Sequence, residues 1–138
     1  MFVEIALVMS ATLLGTMISF IVVISPAVFK TLDREYSQKF LRYIFPRLFN
    51  FCTLITIFMG SLFILGNFIY GLISSLLIAI SFLINTYFLT PRINMQRDLF
   101  LAGDAASERL FKNLHFTSVL LYLLNMVLVS SIFILYYI

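Results

Sequence analysis

The sequence predicts an all-α protein, a bundle of four transmembrane helices. Both termini face outward, and short amphipathic cytoplasmic segments follow helices one and three. Three observations lead there. First, 62% of the 138 residues are hydrophobic and 11% charged, with mean hydropathy +1.09. A soluble domain of this length has too little interior to hide so many apolar side chains, so the solvent must be lipid. Second, the apolar residues form four unbroken runs, each near the ~20 residues that a span requires. They are Ile5–Phe29, Leu48–Leu65, Phe68–Leu89 and Leu114–Ile138. A membrane β-barrel would instead show alternating segments of ~10 residues. Third, all nine basic residues fall into two segments. The chain reads as a single integral membrane domain over residues 1–138.

The first run follows Glu4 rather than a basic leader, and it exceeds the h-region of a signal peptide, about 7–15 residues, so it reads as a retained helix. Thr12, Thr16 and Ser19 are its polar residues, and Ala11, Gly15 and Ser19 make a small-xxx-small ridge for close helix approach. Pro26 is expected to kink its end. Over residues 30–45, Tyr36, Phe40, Tyr43 and Ile44 recur at helical spacing among Lys39 and Arg42, which suits a short interfacial helix. Pro46 then suits the first turn of span two.

Span two carries Asn50, Thr53, Gly60 and the lone Cys52, which has no internal disulfide partner and suits a small buried hydrophobe. Gly66-Asn67 signals a tight hairpin. Span three is expected to stop at Pro91 and Arg92. Asp104 reads as an N-cap, with Ser107 and Glu108 opening an amphipathic stretch into span four. There is also an internal echo: Pro26 precedes Asp33 by seven residues, as Pro91 precedes Asp98. A two-span duplication would produce such parallel repeats.

Lys30, Arg34, Lys39, Arg42 and Arg47 follow span one, while Arg92, Arg97, Arg109 and Lys112 follow span three. Four spans put both segments on one side, which the positive-inside rule makes cytoplasmic. The net charge of +3 is thus a topology signal. No basic domain stands apart from the spans, so nucleic acid is not an expected partner.

Polar residues inside spans mark the faces that look inward, because lipid does not satisfy them. In span four, His115, Ser118, Tyr122 and Asn125 fall within about an 80° arc at 100° per residue. In span three, Ser74, Ser81, Asn85 and Arg92 fall within about 40°. Asn85, Asn125, His115 and Arg92 would together surround a cavity opening to the cytoplasm. His115 is the only histidine, either an interfacial residue or a ligand to haem iron or a proton relay. No Cys/His cluster completes a tetrahedral zinc site. Phosphate loop, dinucleotide fingerprint and nucleophile elbow are all missing, which argues against nucleotide and serine-hydrolase chemistry.

The stretches "SPAVFKTLD", "FLRYIFPRLF", "TPRINMQRD" and "FKNLHFTSVLLYLLNM" resemble, in order and spacing, the bacterial domain-of-unknown-function family 4149, related to transmembrane protein 205. The resemblance implies a four-helix protein of the bacterial inner (cytoplasmic) membrane. It extends distantly to CopD and HemJ-type membrane proteins, the latter carrying haem and oxidising protoporphyrinogen. That implies a haem- or porphyrin-binding oxidoreductase of the protoporphyrinogen dehydrogenase type in haem biosynthesis, with haem b as cofactor and quinone as electron acceptor. His115 would be iron ligand or proton acceptor. Arg47, Arg92 and Arg97 would clamp the anionic ligand's carboxylates beside Asp98, and Asn85, Ser118, Tyr122 and Asn125 would line the cavity. HemJ-type proteins place a key histidine in an early span, whereas the first three spans here contain none, so a second axial ligand would come from Met, a neighbouring copy or nowhere. The rival expectation is a non-enzymatic membrane protein: a small-solute or metal permeation path, or a scaffold. A homo-oligomer is compatible with either.

Overall fold

The computed structural model describes residues 1–138, and every regular element is helical. Four helices are long and apolar enough to cross a membrane: α1 (Phe2–Thr31), α2 (Arg34–Leu65), α3 (Ile69–Leu101) and α4 (Ala105–Tyr137). They form a four-helix membrane-spanning bundle in which α1 touches α2, α2 touches α3, α3 touches α4, and α4 closes the ring onto α1. The two diagonals are not in backbone contact. Each helix projects past its apolar run, so the charged residues collect where α1 hands over to α2 and α3 to α4.

Helices α1 and α3 share an irregularity. Each is α-helical at first, over Phe2–Ser19 and Ile69–Ile84, and each then passes through one π turn, Phe20–Ile24 and Asn85–Leu89. The Ser25 N–H reaches the Phe20 carbonyl and the Thr90 N–H reaches the Asn85 carbonyl. A proline follows in each case, Pro26 or Pro91, bringing no N–H and a ring that crowds the preceding turn. The extra residue in the wider turn shifts the ladder, and the helix passes the proline instead of stopping. Pro91 and Arg92 therefore do not end the helix, contrary to the expectation from sequence; α3 continues past its apolar run to Leu101.

The segment 30–45 also differs from expectation. From Arg34 on it is no separate interfacial helix but the first turns of a continuous α2, with Pro46 inside the helix. One residue on, Arg47 Nη1 donates to the Tyr43 carbonyl at 3.0 Å, a bond within its own helix. Asp104 caps α4 as read from sequence: its carboxylate accepts from the Ala106 N–H at 3.1 Å and from Ser107 Oγ at 2.7 Å. At Gly66-Asn67, Asn67 takes a φ of 55°, and a Cβ on Gly66 would collide with Val3 Cγ2. The hairpin needs both residues.

The ridge of Ala11, Gly15 and Ser19 faces out of the bundle, contrary to expectation, and nothing lies within 4 Å of a Cβ built on Gly15. Thr12 and Thr16 on that side return their hydroxyls to the Val8 and Thr12 carbonyls. Lipid leaves them satisfied by their own helix. The core lies elsewhere, on Leu13, Met17, Cys52, Met59, Phe63, Ile78, Phe82, Val129 and Ile132, all with no accessible surface. Phe49, Phe82 and Tyr122 meet on the bundle axis, with ring centroids 5.8, 6.1 and 6.3 Å apart.

The ring of helices is not closed along its whole length. Helix α4 meets the Phe2–Ser19 part of α1, but not the part beyond the π turn. Helix α3, by contrast, stays against both α2 and α4 through its π turn and on to its end. The basic end of the bundle thus has a gap between α1 and α4.

Candidate functional site

That gap leads into a cavity of about 350 Å³. Its floor is the aromatic centre of the bundle, Phe49 and Tyr122. Phe20, Ile21, Ser25 and Phe29 of α1 form one wall, and Arg42 and Phe45 of α2 the next. Thr90, Ile93, Asn94 and Arg97 of α3 face Phe111, His115, Ser118 and Leu123 of α4 across the remainder. The lining is mainly apolar, with a few convergent polar groups toward the basic end, the usual composition of a small-molecule pocket.

Polar bonds hold the floor in place. Tyr122 Oη donates to the Met17 carbonyl at 3.1 Å, three residues before the first π turn. Ser118 Oγ donates to Asn85 Oδ1 at 2.5 Å, at the first residue of the second π turn. The helical stripe on α4 is thus tied to both π turns. Asn85 and Asn125 are buried, and the Nδ2 of each lacks a partner within the protein.

At the rim, Arg42 and Asp98 form a two-point ion pair across α2 and α3, Nη1 to Oδ2 at 3.0 Å and Nη2 to Oδ1. Both lie beyond the apolar runs. The Arg42 guanidinium holds the Asp98 carboxyl below its ordinary range. Arg97 is different: it is half-buried, and no carboxylate pairs with it. Its one charge-related contact is the Phe111 ring, 5.6 Å away. Burial and the nearby positive charges of Arg42 and Arg34 disfavour a lone cation there, against the weaker opposing pull of Asp98. An anion placed there would offset both effects by its opposite charge.

Of the residues singled out from sequence, Arg97, His115, Ser118 and Tyr122 line the cavity. Asn85 stands directly behind Ser118. Asp98 belongs to the rim through Arg42, and Asn125 is buried about two turns beyond Ser118 along α4. Arg47 and Arg92 are not brought to the cavity: Arg47 covers the Tyr43 ring at 3.4 Å, and Arg92 the Phe88 ring at 4.4 Å, both side chains exposed. The 40° arc that placed Arg92 with Asn85 assumed an unbroken α-helix. The π turn between them adds a residue and rotates Arg92 off that face. Sequence reasoning also missed Arg42, Phe45 and Asn94: the expected break before Pro46 set α2's first turns apart from the bundle, and the expected stop at Pro91 and Arg92 did the same for Asn94.

No curated protein and no solved structure matches the chain. The signature of a domain of unknown function, DUF4149, matches residues 8–98, which takes in α1 from Val8, all of α2, and α3 as far as the Asp98 that pairs with Arg42. Because that match spans more than half of the chain, the protein belongs to the DUF4149 family.

Proposed function

We propose that this is a non-enzymatic membrane protein that holds a small amphipathic anion at the basic end of the bundle. By the positive-inside rule that end is cytoplasmic. The observation that carries the reading is Arg97, a half-buried cation without a carboxylate partner at the rim of an apolar cavity. A guanidinium presents a planar fork to a carboxylate or phosphate. His115 and Asn94 stand at the same rim, and Phe20, Phe45, Phe49 and Leu123 offer an apolar bed for a hydrocarbon tail.

A haem would ask more of the same residues. Haem needs axial ligands for its iron and partners for two propionates. His115 is the one nitrogen or sulfur ligand lining the cavity, and Arg97 the one unpaired guanidinium, since Arg42 is taken by Asp98. That set suits a single-headed anion and does not fit a clamped haem. The test is binding of a long-chain fatty acid to purified protein in nanodiscs, followed by native mass spectrometry. Wild type should retain the acid and Arg97→Ala should lose it. Equal retention by both would sink the assignment, and a Soret band on the purified protein would favour the haem reading instead.

A further inference from the structure

The halves of the chain repeat one another in structure. The π turns begin 65 residues apart, at Phe20 and Asn85, and are followed at the same interval by Ser25-Pro26 and Thr90-Pro91. A buried serine bonds back to the carbonyl four residues earlier at equivalent places, Ser10 to Ala6 at 2.9 Å and Ser75 to Gly71 at 2.7 Å. The second helices correspond at an interval of 73. Lys39 pairs with Glu35 as Lys112 pairs with Glu108, and buried Phe49 and Cys52 answer to buried Tyr122 and Asn125. The faint echo of Pro26 and Asp33 in Pro91 and Asp98 is therefore one part of a repeated helical hairpin, with the cavity between its copies.

The repeat makes the two seams of the bundle comparable. The seam between α2 and α3 is shut at its basic end by Arg42 and Asp98. The matching seam lies between α4 and α1, where the equivalent residues are His115, 73 beyond Arg42, and Asp33, 65 before Asp98. There the seam is open. Asp33 makes no ion pair or side-chain hydrogen bond, and His115 lies flat on Phe111 of its own helix, ring centroids 6.0 Å apart. Helix α1 ends at Thr31, short of Asp33, whereas α3 runs on past Asp98 to Leu101.

We infer that the α1–α4 gap is the portal by which an anionic lipid of the adjoining leaflet enters the cavity head first, and that Asp33 and His115 form the latch that closes it. This rests on the proposed Arg97 site and names its ligand class. Ile21, Phe29, Val119 and Leu123 at the gap are exposed apolar side chains at membrane depth, so the opening faces hydrocarbon rather than water. Arg34, Arg97 and the other basic residues of this end supply the complementary charge. A cavity of about 350 Å³ is small for a ligand site. It takes a head and part of one chain, and an open seam lets the rest stay in the bilayer.

The experiment strengthens the latch. His115→Arg copies the closed seam's guanidinium, so Arg and Asp33 can pair as Arg42 and Asp98 do. Fluorescent lysophosphatidate in phosphatidylcholine nanodiscs is the membrane-dissolved probe, and inorganic phosphate the water-soluble one. Uptake of the lipid probe should be several-fold slower in H115R than in wild type, and adding Asp33→Asn should restore it, while inorganic phosphate should not compete. Circular dichroism and size-exclusion profiles confirm that the variants are folded. Unchanged uptake in H115R, or no rescue by D33N, would overturn the latch. Binding of phosphate without lysophosphatidate would overturn the lateral route while leaving the Arg97 site standing. Binding of neither would remove the site reading and this inference with it.

Discussion

Ser118 Oγ donates to Asn85 Oδ1 at 2.5 Å, joining α4 to α3 at the residue where α3 enters its π turn. The bond fixes which face of each helix looks inward, because both side chains would otherwise be stranded in an apolar interior. It leaves Asn85 Nδ2 without a protein partner, so the contact is one-sided rather than a closed network.

A double-mutant cycle with Ser118→Ala and Asn85→Ala, read by denaturation in mixed micelles, should therefore give a coupling of about 0.6 kcal/mol, the average for interhelical hydrogen bonds in membranes, and no more than about 1.7 kcal/mol. A coupling indistinguishable from zero would mean that the two side chains do not meet. Each single variant should remain folded, because Phe49, Phe82 and Tyr122 hold the same level of the bundle through apolar contact.

Orientation gives an independent check. With every basic residue in two same-side segments, reporter fusions should place residues 30–45 and 95–112 in the cytoplasm and Ile138 outside. A cytoplasmic C-terminus would move the cavity to the opposite leaflet. Cysteine pairs at Asn85 and Ser118 in a Cys52→Ser background should cross-link whichever way the bundle is inserted.

The spans, the hairpin and the Asp104 cap were legible because each rests on local chemistry: apolar run length, a positive φ at Asn67, a carboxylate before a helix. The polar stripe of α4 was legible too, since an unbroken α-helix keeps strict phase from His115 to Asn125. Arg92 was misplaced because the sequence carries no sign of the added residue in a π turn; Pro91 signals a problem in the ladder but not how it is solved. The small-residue ridge on α1 misled for a different reason. Ala11, Gly15 and Ser19 permit close approach without requiring it, and Leu13, Met17 and Phe20 bury more apolar surface on the other face.

Acid should loosen the closed seam. Arg42 keeps the Asp98 carboxyl's folded pKa below its unfolded value, near 3.9. The pair's contribution is therefore complete above that unfolded value and is lost as pH falls through the lowered one. Thermal stability in detergent should decline at the acid end of a pH series, and Asp98→Asn should flatten that decline while lowering the plateau slightly. Asp98 is exposed, so the effect is small. A slope identical in wild type and D98N would show that other carboxylates carry it.

The last prediction separates the two arginines that the sequence placed together. Arg92 lies over Phe88 on an exposed face, so Arg92→Lys and Arg92→Ala should leave fatty-acid retention as in wild type. Arg97 lines the cavity with no carboxylate partner, so Arg97→Ala should weaken retention by roughly tenfold or more, the equivalent of one charge-assisted hydrogen bond of about 1.5–3 kcal/mol. Arg97→Lys keeps the charge but loses the planar fork and should fall between the two. Removing an unpaired cation from a half-buried position costs the fold little, so Arg97→Ala should melt no lower than wild type without ligand. Should Arg92→Ala abolish retention while Arg97→Ala does not, the anion would bind at the outer face of α3, and the cavity would lose its role.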